Sequence, residues 1–349
     1  WPTPAMREAM ANAVLGDDVY GEDPTVNALE AEAAALLGKE AGLFVVSGTM
    51  GNLTAVLTHC GRGDEVILGH QSHIFNYELG SVAAYGGIHP HPLPVQHDGT
   101  LALDAIRAAL RPKVGHFPTT RLICLENTQG GRWGAPLSAE YIGQVAEIAR
   151  ANDLKLHIDG ARLFNAAAAL ETPARELVAD ADSVTFCVSK GLSAPVGSVL
   201  VGTQAFITHA RKTRRSLGGG LRQAGVLAAA GLVAIREMTD RLVEDHANAR
   251  TLAHGLAQIP GVSIDLNYVR SNMVFFALND DTPISAESLI ERLKDDYNII
   301  VRPYSVEDRS FRLVTHYWIT PEHIEQVLAA FRALIRPTIT EARAQLASD

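Results

Sequence analysis

Short apolar runs and longer stretches with helical spacing alternate through the first two thirds of the chain. Runs at Leu43–Val46, Glu65–Leu68, Leu122–Leu125, Leu156–Ile158, Val184–Val188 and Ser198–Val201 are strand-like. Amphipathic stretches at Leu53–His59, Leu103–Leu110 and Ala139–Ala151 separate most of them. An earlier helix opens at Asp23-Pro24-Thr25, carries Leu29, Leu36 and Leu37, and closes at Gly38. The acid there suits an N-cap, the proline a first helical turn and the glycine a C-terminal stop. Strands apolar on both faces and separated by helices predict an α/β domain built on a mostly parallel, doubly covered sheet.

After Glu237 the pattern changes. A charged helical run, Asp240–Leu256, ends at Ile259-Pro260-Gly261. Beyond it come strands at Val262–Leu266 and Met273–Leu278, a helix at Ala286–Asp296, strands at Ile299–Val301 and Phe311–Thr315, and a last helix at Pro321–Ile335. That β-β-α-β-β-α order predicts a smaller C-terminal α+β domain over 238–349, following a large domain over 1–237. The chain beyond Arg336 reads as a polar helical tail.

Composition supports this division and narrows the partners. A chain of 349 residues, 47% of them hydrophobic, suits two cores better than one. A formal net charge of −9 argues against a nucleic-acid partner, which calls for a basic face. The local cluster Arg211-Lys212-Thr213-Arg214-Arg215 is either a solvated helix face or a source of attraction for an anionic cofactor or substrate. Cys60, Cys124 and Cys187 lie far apart, two of them inside apolar runs, so a reduced compartment is expected, with the cytoplasm preferred. The longest strongly apolar stretch, Ala224 to Ile235, is broken by Gly225 and Gly231 and is too short to span a bilayer. The chain opens on Trp1 and not on methionine, so further residues are expected upstream.

Chemistry concentrates where strands end. Ser189-Lys190-Gly191 follows the run Val184–Val188, and Asp159-Gly160-Ala161-Arg162 follows Leu156–Ile158. A lysine leaving a buried strand needs a partner or a covalent task, and Schiff-base formation is such a task, because low polarity lowers the amine pKa. Pyridoxal phosphate calls for this pair, a lysine for its aldehyde and an acid for its pyridine nitrogen. The plainer alternative is a strand-end lysine reaching solvent beside a helix-capping Asp.

Other segments fit the same cofactor. Ser47-Gly48-Thr49-Met50-Gly51-Asn52 leaves a strand and opens a helix, an anion site suited to phosphate or an ordinary cap. It lacks the lysine of a P-loop and the glycine spacing of a dinucleotide turn. Gly218-Gly219-Gly220, before Arg222, is either a hinge or a second phosphate contact. Among 13 histidines no H-E-x-x-H occurs, and His89-Pro90-His91-Pro92 is too stiff for helical ligation, so no metal site is expected. His73 stands apart, since it follows Glu65–Leu68 and falls where ligands bind in open α/β sheets.

Taken together these residues resemble the L-threonine aldolase family of fold type I, aspartate aminotransferase-like pyridoxal phosphate enzymes. The resemblance is carried by Gly16-Asp17-Asp18-Val19-Tyr20-Gly21, Asp23-Pro24-Thr25-Val26-Asn27, Ser47-Gly48-Thr49, His73, Leu125-Glu126-Asn127-Thr128 and His157 to Arg162. It continues through Ser189-Lys190-Gly191, Pro195-Val196-Gly197-Ser198, Gly218 to Gln223 and Arg312 to His316, and so spans most of the chain. It implies that Lys190 is the Schiff-base lysine and that Asp159 keeps the pyridine nitrogen protonated. It further implies that His73 stacks on the ring, that Gly48, Thr49 and Arg222 take the phosphate, and that Ser189 and Arg162 adjoin the cofactor. By the same resemblance Arg312, with Arg162, grips the substrate carboxylate, Tyr20 lines the pocket, and His116 approaches the substrate hydroxyl.

The activity so implied is retro-aldol cleavage of L-threonine, L-allo-threonine or a related β-hydroxy-α-amino acid to glycine and an aldehyde. The proton acceptor is His116, His73 or a water they hold. A homodimer or homotetramer with shared sites is implied as well. Rival readings are a phenylserine-preferring aldolase, a β-eliminating or transaminating enzyme on the same fold, and a catalytically silent cofactor-binding scaffold. Two departures bear on substrate preference. Gln129-Gly130-Gly131-Arg132-Trp133 stands where relatives often carry a histidine and a different loop, and the short Ser-Asp-Thr segment that relatives place near the site is not in this sequence.

Overall fold

The computed structural model describes residues 1–112 and 114–335, so the tail expected after Arg336 lies outside the described residues. The chain forms two compact units, the first from Trp1 to Leu242 and the second beginning at Val243. The sequence pattern placed the division after Glu237; the charged helix begins at Leu242, and the division falls at its first residue.

The first unit is built on seven strands: β1 (Ala41–Val45), β2 (Asp64–Gly69), β3 (His89–Leu93), β4 (Thr119–Glu126), β5 (Lys155–Gly160), β6 (Ser183–Cys187) and β7 (Ser198–Gly202). Their order in the sheet is β1-β7-β6-β5-β4-β2-β3. From β6 to β3 all neighbours run parallel, while β7 runs antiparallel to both β6 and β1. In β6 and β7 every residue is buried, and Leu122 to Leu125 of β4 are buried too, as a sheet covered on both faces requires.

One strand escaped the sequence pattern. His89-Pro90-His91-Pro92-Leu93 pairs in parallel with β2 from Glu65 to Gly69. Prolines cannot donate to a ladder, and β3 sits at the edge of the sheet, where a strand needs only one partner.

The basic cluster is divided: Lys212 and Arg215 are exposed, whereas Arg211 and Arg214 turn to the protein. Arg214 is buried, donating to Asp18 Oδ2 at 2.9 Å and to the Phe44 carbonyl at 2.7 Å. Arg211 donates to buried Glu30 at 2.5 Å, and Glu30 in turn accepts from Phe44 N–H at 2.8 Å. Arg211 and Arg214 fasten the segment before the first strand to the sheet. Gly218-Gly219 is not a hinge. The Gly218 and Gly219 amides donate to the Arg215 and Arg214 carbonyls, and Gly218 has a φ of +84°, which closes helix Gln204–Ser216 as a Schellman cap.

In the second unit, four strands, β8 (Val262–Ser263), β9 (Met273–Leu278), β10 (Pro303–Ser305) and β11 (Ser310–Val314), make an antiparallel sheet in the order β10-β11-β9-β8. The strand expected at Ile299–Val301 lies later, at Pro303–Ser305, because Asn298 takes a left-handed turn that ends helix Ala286–Tyr297, and Ile299 N–H folds back onto the Leu293 carbonyl. Alternate residues of β9, Val274, Phe276 and Leu278, face the core. Phe276 stacks on Phe311 at 5.1 Å and meets Phe331 edge-on at 5.6 Å.

Candidate active site

Topology gathers the expected residues at one edge of the large sheet. Because β1 and β6 each run antiparallel to β7, they run parallel to one another, so β1, β2, β4, β5 and β6 all end at the same edge. Helix Gly48–His59 starts there after β1, His73 follows β2, Glu126 ends β4, Asp159 lies near the end of β5 and Lys190 follows β6. The carboxyl edge of such a sheet is where ligands bind.

Asp159 is buried, and its surroundings offer it hydrogen-bond donors. Oδ1 accepts from Ala161 N–H at 3.1 Å and Oδ2 accepts from Asn52 Nδ2 at 2.8 Å. The second Asn52 amide hydrogen goes to Glu78 Oε1 at 2.9 Å, and Asn52 itself is 1% exposed. Amide donors on both oxygens fix the orientation of the carboxylate while leaving it lone pairs for a further N–H.

His73 is half-buried, and its Nδ1 lies 2.9 Å from Glu78 Oε1. The hydrogen bond to Glu78 raises its pKa, burial opposes that, and the charges of Asp159 and Glu78 add to the rise. Its backbone N–H donates to Glu126 Oε2 at 2.9 Å. Gly130 N–H donates to the other Glu126 oxygen at 2.9 Å. Burial of the Glu126 carboxyl, and then the charge of Asp159, push its pKa up to about 7 against those two donors. His73, Glu78 and Asp159 bring ligand atoms within 4.8 Å of one another, and Asn52 amide hydrogens bridge the two carboxylates.

Lys190 is half-buried, and its charge reaches both His73 and Cys187. Arg162 is half-buried at the start of helix Leu163–Leu170, and its charge also reaches Cys187. Ser189 is exposed beside Lys190. Gly48 opens its helix so close to β6 that a Cβ there would lie 2.9 Å from Cys187 Sγ. Ser47 Oγ accepts from Met50 N–H and the first helical bond runs from Gly51 N–H to the Ser47 carbonyl, so the Gly48 and Thr49 amides precede the ladder, as in an anion site.

Comparison with known proteins agrees with this arrangement. A family model described as beta-eliminating lyase matches residues 1–279. Low-specificity L-threonine aldolase 1 of Arabidopsis thaliana is 49% identical over 334 residues, covering 95% of this chain and 92% of its own. The chain belongs to the threonine aldolase family. The low specificity L-threonine aldolase of Escherichia coli O157:H7 is 42% identical, with 96% of each chain covered. Among solved structures, a Leishmania major threonine aldolase matches with a TM-score of 0.78 at 21% identity over 96% of this chain and 97% of that one. A Sphingomonas wittichii serine palmitoyltransferase matches at 0.74 and 20% over 95% and 83%, which marks the fold as that of fold type I pyridoxal phosphate enzymes.

Not every residue expected of a threonine aldolase meets the others in this chain. His116 is exposed in the segment before β4, at the opposite end of that strand from Glu126; at about 3.3 Å per residue the strand is roughly 25 Å long. One chain therefore does not bring His116 to Asp159 or His73. Arg222 is exposed and committed elsewhere: it donates to Asp17 Oδ2 at 2.8 Å and lies over the Tyr20 ring at 5.9 Å, not on the helix start expected to hold phosphate. Tyr20 is 72% exposed. Arg312 lies exposed on β11 of the second unit, 5.9 Å from the Tyr304 ring. Gln129 is buried, bonding to the Gln71 carbonyl and Glu126 Oε2, so it braces the loop and does not shape an entrance. Asn52, Glu78 and Glu126 were not singled out from sequence. Asn52 and Glu126 stood inside the motifs Ser47–Asn52 and Leu125–Thr128, whereas Glu78 carried no signal beyond its nearness to His73.

The donor set fits pyridoxal phosphate. A lysine, an acceptor carboxylate held by amides, a helix start and an imidazole meet at one edge, and each answers a different part of the cofactor.

Proposed function

We propose that this chain is a pyridoxal phosphate-dependent aldehyde-lyase that cleaves L-threonine, L-allo-threonine and related β-hydroxy-α-amino acids to glycine and an aldehyde. The observation that carries this reading is the convergence of Lys190, Asp159, His73 and the Gly48–His59 helix start at the carboxyl edge of one sheet. The cofactor, when bound, supplies the electron sink that weakens the bond between Cα and Cβ.

The chain's own residues do the rest. Lys190 Nζ would hold the cofactor by its aldehyde. Asp159, oriented by Asn52 and Ala161, would accept from the ring nitrogen. Gly48 and Thr49 amides bind the phosphate, with Ser189 next to the lysine. Arg162 is assigned to the substrate carboxylate, where a guanidinium grips both oxygens. His73 covers the ring; with Nδ1 tied to Glu78, its Nε2 is the nitrogen that takes the hydroxyl proton.

A soluble homodimer or homotetramer is proposed, supported by the exposure of Tyr77, Leu79 and Tyr85 and by the absence, among the described residues, of a helix long and apolar enough to cross a membrane. Three buried free cysteines support the cytoplasm. The deciding experiment is product analysis with threonine, allo-threonine and phenylserine. Glycine plus the matching aldehyde is expected; ammonia plus a keto acid would show β-elimination instead.

A further inference from the structure

A line of hydrogen-bonded side chains runs beneath the site and ends on Asp159. Helix Gly48–His59 lies across β5 and β6, contributing Asn52 and, two turns on, His59. His157 and Asp159 alternate on β5, and His157 stands beside Ser183 in the parallel ladder. His59 Nε2 lies 2.7 Å from Ser183 Oγ, Ser183 Oγ lies 2.9 Å from His157 Nδ1, and His157 Nε2 lies 3.2 Å from Asn52 Oδ1.

The donor inventory gives this line one direction. Both Asn52 amide hydrogens are used, on Glu78 Oε1 and Asp159 Oδ2, so its Oδ1 must accept. His157 therefore carries its proton on Nε2, its bare Nδ1 accepts from the Ser183 hydroxyl, and Ser183 Oγ accepts from His59 Nε2–H. Had Asn52 been turned over, its oxygen would face two carboxylates. We propose that His157 is a positioning residue, fixing the orientation of Asn52 so that Asp159 is presented as a rigid carboxylate to the cofactor's ring nitrogen.

Burial holds both histidines neutral, lowering His157 to about 3 and His59 to about 4, so the line keeps its direction through the physiological range. Oriented bonds of this kind polarise one another toward the final acceptor. The proposal rests on the cofactor reading above but not on the identity of the substrate.

The test has two arms. In protein labelled with 15N at histidine, with and without cofactor, His157 should show a protonated Nε2 and a bare Nδ1, with no titration above pH ~5. A protonated Nδ1 would overturn the proposal, and this arm needs no variant. In the second arm, spectroscopic titration with pyridoxal phosphate compares His157→Gln, whose amide can still donate to Asn52, with His157→Leu, which cannot. Loss of a hydrogen bond supporting a charged group should weaken cofactor binding about tenfold in the Leu variant, while the Gln variant stays within about threefold of the parent. Equal binding by Leu and Gln variants would sink the idea. Failure of the unmodified protein to bind the cofactor would instead refute the proposed function, leaving the tautomer measurement to decide the positioning role.

Discussion

His73 Nδ1 and Glu78 Oε1 are 2.9 Å apart, with the carboxylate buried and the ring half open to solvent. Glu78 therefore raises the basicity of a ring placed at the ligand-binding edge of the sheet. Replacing Glu78 by Gln should lower the His73 pKa, moving the acid limb of the pH–rate profile to lower pH. The sign follows from linkage: a histidine whose folded pKa is raised contributes stability below its ordinary pKa and loses it as pH rises through the raised value. In Glu78→Gln that His73 part of the pH dependence of denaturation should shrink.

His73→Phe separates stacking from proton transfer. The phenyl ring can still cover the cofactor, so cofactor binding should change little, while kcat falls by about 10²- to 10⁴-fold for loss of the proton acceptor. A kcat close to the parent's, with cofactor binding retained, would mean that the imidazole serves mainly as a cover. Steady-state kinetics together with absorbance titration make the distinction.

Glu126 gives a pH signature of its own. Its carboxyl is raised from an ordinary 4.5 to about 7 by burial, so between those values the folded chain holds a proton that the unfolded chain has released. Its contribution therefore makes the protein lose stability as pH rises from about 4.5 to about 7, with no further change above. In Glu126→Gln that part of the pH dependence of the denaturation midpoint should vanish.

Arg214 and Asp18 form a buried pair, and Arg214 also caps the Phe44 carbonyl. Asp18→Ala leaves the guanidinium buried with only that carbonyl among these partners, which typically costs about 3–5 kcal/mol. Urea denaturation of the two proteins checks this. A cost below about 1 kcal/mol would indicate a pair behaving as if solvent-exposed.

The sheet was legible because β4, β5, β6 and β7 are apolar on both faces, a pattern that helices rarely imitate at such lengths. β3 was not, since two prolines in a five-residue run read as a breaker and only its edge position excuses them. Lys190 and Asp159 could be found because each stands beside the end of an apolar run. Asn52 and Glu78 could not, because their meeting depends on a helix, a turn and β5 approaching in space. His116 precedes a parallel strand and so lies at the amino edge of the sheet within one chain.

Gly51 joins fold and site most directly. A Cβ there would lie 2.5 Å from Thr185 Cγ2 and 3.0 Å from its Oγ1, on a fully buried and χ1-restricted strand side chain. Gly51→Ala must therefore push helix Gly48–His59 off β6, and overpacking of this kind costs about 1–3 kcal/mol. Because the neighbouring residue is Asn52, the shift should also loosen its 2.8 Å bond to Asp159 and weaken cofactor binding. Thr185→Ala removes both obstructing atoms. The double variant Gly51→Ala/Thr185→Ala should then be more stable than the sum of the two single effects, a coupling that denaturation measurements on the full cycle would detect. Strict additivity would mean that the helix start relaxes elsewhere and that Gly51 is not what sets its distance from the sheet.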